Sequence, residues 1–337
     1  MASTMIIVLT VVYLMSMPIP NVAESSAEAY WKLNLGSETV MPKIVKDALI
    51  GANENANYVL QHEVQKGFKI SKELESSILK DAEIVEYEMA FKVTNQQKES
   101  IKKLDQESIM LQTTHENPTI DPTKHSVYFT EPDLTRPGKT LKLNFMKIED
   151  DAKFLPIQVT KSIPFSSKAF PRILDLFSVQ ANSSSADIME DTIRACEIKA
   201  MSEEKKLCAL TLEDMVDYVK SHVGKKVCTL SGYVAKDVQN VHKIVNSKKV
   251  ESDVSMVCHK MGYPYAVFYC HNLKETSLYE ISMVDSEGKK MDAIGVCHKD
   301  TSSWSPKHVS FQMLKVKPGS VPVCHFLNER SIAYVLK

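Results

Sequence analysis

Four cysteines in the C-terminal third are each followed directly by a histidine: Cys258-His259, Cys270-His271, Cys297-His298 and Cys324-His325. Ten residues separate the first pair from the second, and 25 separate the second from the third and the third from the fourth. A chain of 337 residues with seven Cys and ten His does not produce four such dipeptides by chance. Their chemistry is restricted. A thiol cross-links or ligates a metal, and an imidazole ligates a metal or carries a proton.

Each dipeptide lies in or ends a strand-like run: SDVSMVCH, YPYAVFYCH, MDAIGVCH and SVPVCHF. Successive side chains of a strand point to opposite faces. Each pair therefore sends its sulfur one way and its imidazole the other. In the second run Tyr265, Val267, Tyr269 and His271 share a face opposite Ala266, Phe268 and Cys270. In the third, Ile294, Val296 and His298 oppose Ala293, Gly295 and Cys297. The pattern predicts a sulfur layer and an imidazole layer. In an oxidising compartment the four cysteines form two disulfides, with three connectivities open. The imidazoles are then available to a transition metal, and a nitrogen-rich set suits copper or zinc. A zinc site with thiolate ligands is disfavoured, because no CxxC or HxxxH occurs to form a short chelating loop. A pure scaffold, with each histidine only hydrogen-bonded, fits the same residues.

The elements that must position these residues begin with the compartment. Met5 to Met17 is an uncharged apolar run, followed by Pro18, Pro20 and Ala23, with the first charge at Glu24. It is too short to span a bilayer and reads as a signal peptide over 1–23, cut after Ala23, although its start has no Lys or Arg. No membrane span is expected after its removal. Entry into the secretory pathway permits disulfides and gives meaning to the sequon Asn182-Ser183-Ser184 as a glycosylation site. All seven cysteines lie in the second half, and an odd number leaves at least one thiol over. Charges balance at 41 basic and 42 acidic side chains, which gives no reason to expect nucleic acid as a partner.

Residues 24–125 read as a variable N-terminal segment, helical or partly disordered. Pro42 opens a helical pattern with Ile44, Val45, Ala48 and Leu49 on one side. Residues 58–115 are rich in Lys, Glu and Gln, with Ile78, Ala82, Val85 and Met89 at helical spacing. After Pro118, Pro122 and Pro132 the texture changes to short strand-like runs, HSVYFTE, TLKLNF and FLPIQV. Helices are expected at about 185–196 and 210–223, and mostly strands from Lys226 onward. The fold class is α+β, with a predominantly antiparallel β domain over 126–337.

The arrangement CH-x10-CH-x25-CH-x25-CH resembles the pattern of the plant BURP domain. VYFTEPDLTRPGKTLKLNF, FLPIQVTKSIPFSS, CEIKAMSEEKKLCALTLEDMVDYV and KDTSSWSPKHVSFQMLKVKPGSVPVCHFL resemble further blocks of that domain. AYWKLNLGSETVMPKIVKDAL resembles the segment that follows the signal peptide in members related to the unknown seed proteins. The resemblance implies secretion to the wall, the extracellular space or the vacuole, and roles in seeds, development and stress. It implies that Cys196 pairs with Cys208 and that the four motif cysteines form two more bridges. Cys228 has no counterpart and is assigned as the leftover thiol. It implies copper as the metal, held by His259, His271, His298 and His325, with His308 matching a further family histidine.

Two functional readings follow. The first is a disulfide-bonded, copper-binding protein with a non-enzymatic or accessory role in seed, wall or stress physiology, acting with an unidentified protein, peptide or wall partner. The alternative is a copper-dependent peptide cyclase that cross-links Trp or Tyr side chains. Self-processing cyclases carry their core peptide in the same chain. Residues 43–125 contain no Trp, and their only tyrosines, Tyr58 and Tyr87, stand in no repeat. A cyclase here would act on a separate precursor. A wall-polysaccharide hydrolase is disfavoured, since no carboxylate pair stands out as acid and base.

Overall fold

The computed structural model describes residues 26–49, 128–145, 152–200, 204–232, 238–252, 255–273, 275–306 and 308–337. The apolar run at Met5–Met17, the cut after Ala23 and the helical pattern of 58–115 lie outside the described residues.

Eleven strands and eight α-helices are present among the described residues. The strands are β1 (Tyr128–Thr130), β2 (Thr140–Phe145), β3 (Glu204–Ala209), β4 (Val227–Ser231), β5 (Val238–Lys249), β6 (Ser255–Lys260), β7 (Phe268–Leu273), β8 (Thr276–Val284), β9 (Lys290–His298), β10 (Val323–Phe326) and β11 (Ser331–Leu336). The helices are α1 (Ser26–Leu35), α2 (Lys43–Ala48), α3 (Glu131–Thr135), α4 (Ile157–Ser162), α5 (Phe170–Leu176), α6 (Ser184–Glu197), α7 (Leu212–His222) and α8 (Val309–Leu314). A six-stranded sheet runs β1-β10-β9-β8-β5-β2, and a five-stranded sheet runs β3-β7-β6-β11-β4. Every pairing is antiparallel. The fold class is α+β, as the strand patterning predicts.

The two sheets face each other through Val257 of β6 and Ala333 and Val335 of β11 on one side, and Leu278 of β8 and Ile294 and Val296 of β9 on the other. These are the residues that share a strand face with the motif histidines. The opposite face of the five-stranded sheet, with Met256, Cys258, Phe268, Cys270, Ile332 and Tyr334, is covered by α1, α2 and α7. The opposite face of the six-stranded sheet carries Cys297 and Cys324 and packs against Leu134 of α3. The imidazole layer is therefore the interior of a two-sheet sandwich, and the sulfur layers are its outer floors under helices. Face-to-face sheets of this kind bury alternate side chains of each strand.

Helix α7 shows how sequence sets an element. Thr211 and Asp214 form a reciprocal capping box, and Leu212, Met215, Val216 and Val219 follow at helical spacing and are buried. Helix α6 starts on Ser183, whose side chain accepts from the Ala186 N–H.

One expectation needs correction. FLPIQV is not a strand: residues 152–156 carry no regular element and α4 begins at Ile157, one residue after Pro156. Proline cannot donate to a sheet ladder but suits the entry to a helix, and Val159 and Ile163 then bury against α5 and α6. Within the N-terminal segment read as helical or partly disordered, 26–49 forms α1 and α2. Trp31 is 1 % exposed, its indole donating to the Thr39 carbonyl at 3.0 Å, and it packs with Leu35, Val45 and Ala48 on the five-stranded sheet.

Candidate metal centre

Register explains the whole arrangement. Strands β6 and β7 place Cys258 directly opposite Cys270, and β9 and β10 place Cys297 directly opposite Cys324. The structure bridges both pairs, each with a Cα–Cα distance of 4.0 Å. In both strand pairs the histidines then stand on the other face, one residue past the bridge, as diagonal neighbours. His259 lies opposite Tyr269 and His271 opposite Val257, while His298 lies opposite Val323 and His325 opposite Val296. Diagonal partners on one sheet face are within reach of aromatic rings. The result is the same module built twice, with a buried disulfide below and an imidazole pair above.

In each pair the two Nε2 atoms approach to 3.3 Å. The ring centroids are 5.3 Å apart for His259 and His271 and 5.5 Å for His298 and His325. The far ring nitrogens are held by other groups. His259 Nδ1 lies 2.9 Å from Ser331 Oγ, and that hydroxyl donates its one proton to Asn328 Oδ1 at 2.8 Å. His259 Nδ1 must therefore be the donor. Gly232 lets the turn carrying Ser331 come this close, since a Cβ there would lie 1.6 Å from the Asn328 carbonyl oxygen. His271 Nδ1 lies 3.2 Å from Glu204 Oε1, which also accepts from the Tyr269 hydroxyl at 3.0 Å. His325 Nδ1 donates to the Phe326 carbonyl at 3.2 Å, and His298 Nδ1 lies 3.4 Å from Thr276 Oγ1. A carboxylate and a carbonyl only accept, so His271 and His325, like His259, carry a proton on Nδ1, and in the neutral ring Nε2 is bare.

Burial reinforces this. Desolvation, followed by the neighbouring imidazoles His271 and His325, holds His259 well below the usual histidine range. His298 is pushed down in the same way, by burial first and then by His325, His271, His259 and His308. His325 falls to about 4 through burial above all. The neutral imidazole is the form that ligates metals. The mutual influence also puts the two pairs within electrostatic reach of each other across the sandwich.

His308 has a different task. It stands at the N-cap of α8, and its Nδ1 accepts from the Ser310 N–H at 3.3 Å. Its ring lies 4.9 Å from Trp304 and 5.8 Å from Tyr128, and Trp304 in turn lies 5.3 Å from His298. The third disulfide, Cys196–Cys208, ties the end of α6 to β3, the strand that carries Glu204. Cys228 is a free, exposed thiol on the edge strand β4. Asn182 is exposed in the turn before α6, with a left-handed φ of 61° that asparagine tolerates.

The donor set fits a transition metal. Imidazole nitrogens that face each other, with three of the four rings buried, suit copper or zinc, and all four Nδ1 atoms are engaged by other groups, as in most metal-binding histidines. The nitrogens come together two by two. Among the described residues no group of three or more His, Cys, Asp or Glu side chains gathers at one point. Sequence reasoning missed Glu204, Ser331, Thr276 and Tyr269. Glu204 sits in a Lys/Glu-rich run that reads as solvated surface, and only the pairing of β3 with β7 turns it inward.

The BURP domain family model matches residues 127–336. The chain belongs to the BURP-domain family. It is 42 % identical over 218 residues to the BURP domain protein RD22 of Arabidopsis thaliana, an alignment covering 62 % of this chain and 55 % of that one. It is 39 % identical over 227 residues to BURP domain-containing protein 3 of rice, Oryza sativa subsp. japonica, covering 65 % and 52 %. With BURP domain protein USPL1 of Arabidopsis thaliana it shares 35 % over 227 residues, covering 63 % and 80 %. The chain thus spans about half the length of the first two relatives. It is a disulfide-bonded plant BURP-domain protein, with three bridges among the described residues. No helix of the described residues is long and apolar enough to cross a membrane.

Proposed function

We propose that this BURP-domain protein works in the secretory pathway, the wall or the vacuole as a copper-binding protein with an accessory, non-enzymatic role toward a protein, peptide or wall partner. One observation carries the metal reading. His259 and His271 both commit their Nδ1 protons elsewhere, so two lone pairs face each other at 3.3 Å inside the sandwich. Two neutral imidazoles set this way, one buried and one partly buried, have two acceptors with no proton between them and repel, and a cation between them removes the repulsion. Each imidazole pair offers two nitrogen ligands, while the disulfides beneath hold the strands in register. Asn182, exposed in its turn, carries a glycan in this reading. Bound copper would supply one-electron and dioxygen chemistry.

The second reading, a copper-dependent peptide cyclase acting on a separate precursor, is favoured by one feature. A pair of nitrogens leaves other coordination positions open, whereas structural sites are closed by protein ligands. The His271 side chain is 18 % exposed, so that position is not sealed from solvent.

The test is metal analysis of the secreted full chain with its disulfides verified by mass spectrometry, followed by incubation with copper, oxygen and Trp- or Tyr-containing peptides. Copper bound in the parent and reduced in His271→Ala is expected, with no cross-linked peptide. Failure to bind copper with all three bridges intact overturns the metal reading. A peptide that loses two hydrogens in a Trp or Tyr cross-link transfers the assignment to the cyclase.

A further inference from the structure

The two imidazole pairs share a backbone geometry but differ in what stands behind them. Behind His271 is the carboxylate of Glu204, whose side chain is 7 % exposed. Behind His259 is a hydroxyl whose own proton is spent on Asn328. Both Nδ1 protons are committed, so when the two rings are neutral neither Nε2 holds one. Behind His325 is a neutral carbonyl, and behind His298 is the Thr276 hydroxyl at 3.4 Å. A hydroxyl can donate as well as accept. If Thr276 donates to His298 Nδ1, the His298 proton moves to Nε2 and bonds His325 Nε2 across the 3.3 Å gap. With all four rings neutral, this second pair can satisfy itself and the first cannot.

Charge adds to the difference. A carboxylate that accepts from Nδ1–H raises the basicity of the imidazole and stabilises the more highly charged ion at Nε2. Lys206 also lies in the field of Glu204, but its ammonium donates to the Ala195 carbonyl at 2.8 Å and sits over the Tyr269 ring. Among the described residues, the other pair has no carboxylate partner at either Nδ1. It is packed beside the rings of Trp304 and Tyr128. A dry, uncharged shell penalises a doubly charged ion more than a singly charged one.

We propose that the two pairs are unequal sites: His259–His271 is the tight Cu(II) site with Glu204 as its positioning residue, and His298–His325 binds Cu(II) more weakly and favours Cu(I). This rests on the copper reading above. It concerns which oxidation state each pair holds, and Glu204 acts through His271 rather than on the metal.

The test uses the full chain in two backgrounds. His298→Gln with His325→Gln leaves only the first pair, and His259→Gln with His271→Gln leaves only the second. Each is titrated against a Cu(II) chelator and, separately, a Cu(I) chelator, and the Cu(II) forms are read by electron paramagnetic resonance. The first-pair protein should hold Cu(II) more tightly and the second-pair protein should show the larger Cu(I) preference. Glu204→Gln keeps an acceptor but removes the charge. In the first-pair background it should cost about 10- to 100-fold in Cu(II) affinity and shift the resonance spectrum, with little change for Cu(I). Thr276→Val in the second-pair background should show no such loss. Tyr269→Phe removes the competing donor to Glu204 and should tighten Cu(II) binding, a direction that a merely structural defect does not give; it also serves if Glu204→Gln fails to fold. Equal Cu(II) affinities in the two backgrounds, or equal effects of Glu204→Gln on both oxidation states, overturn the proposal. No copper in either background or in the parent fails the copper reading itself, before inequality arises.

Discussion

The β6–β7 hairpin and the β9–β10 pair solve one problem twice and finish it differently. Both place cysteines at directly opposed positions and histidines on the diagonal of the other face. The first is backed by a broad floor of α1, α2 and α7 and has a carboxylate behind one imidazole. The second is backed by the short α3 and has only neutral groups behind its imidazoles. Backbone register makes the shared part, and the flanking elements make the difference. A repeated motif therefore need not mean two equivalent sites.

The comparison can be broken first at the floors. Trp31→Ala should destabilise the protein by about 3–5 kcal/mol and Leu134→Ala by about 2–5 kcal/mol, both read from urea unfolding. The Trp31 effect tests whether a segment upstream of the family match is part of the fold. A surface-like loss for Trp31→Ala would separate α1 from the domain.

Next are the bridges. Replacing either motif disulfide by alanines should cost about 2–5 kcal/mol. The sequence separation is 27 for Cys297–Cys324 and 12 for Cys258–Cys270. In the chain-entropy account the longer loop makes its bridge worth about 0.7 kcal/mol more. A reversed order would mean that the helical floor, not loop closure, sets the cost.

A further step is in pH, measured on copper-free protein. His325 is held at about 4 when folded, and His259 and His298 are also depressed, so in acid the unfolded chain binds protons that the folded chain refuses. Stability is complete above the unfolded histidine value of about 6.5 and falls as pH drops from there toward 4, by up to about 1.4 kcal/mol per pH unit for each such group. Replacing His298 and His325 together by glutamine should flatten this acid limb more than His259→Gln alone. An unchanged limb in the double variant would refute the assignment of that limb to the pair.

The alternation of Cys and His was legible because the period of a strand is two, whatever surrounds it. It holds even before β7 begins: Tyr265 and Val267 pack with α5 and α6, while Ala266 joins Cys270 over α7. Helices α6 and α7 were expected at about 185–196 and 210–223, close to where they lie, and their caps and apolar spacing are local signals. FLPIQV was misread, since a short apolar run is ambiguous until its partner is known and Pro156 only biases it.

The sequence by itself determined that sulfur and imidazole occupy opposite faces, and that at least one thiol of seven is left over. It left three connectivities open, because spacing along a chain does not say which strands lie side by side. Tertiary structure decided the bridges through register, turned both imidazole layers into one interior, and brought Glu204 and Ser331 behind one pair and Thr276 behind the other. Those partners lie 67, 72 and 22 residues from the histidines they touch. Contacts at that range follow from how sheets pair, not from any local pattern.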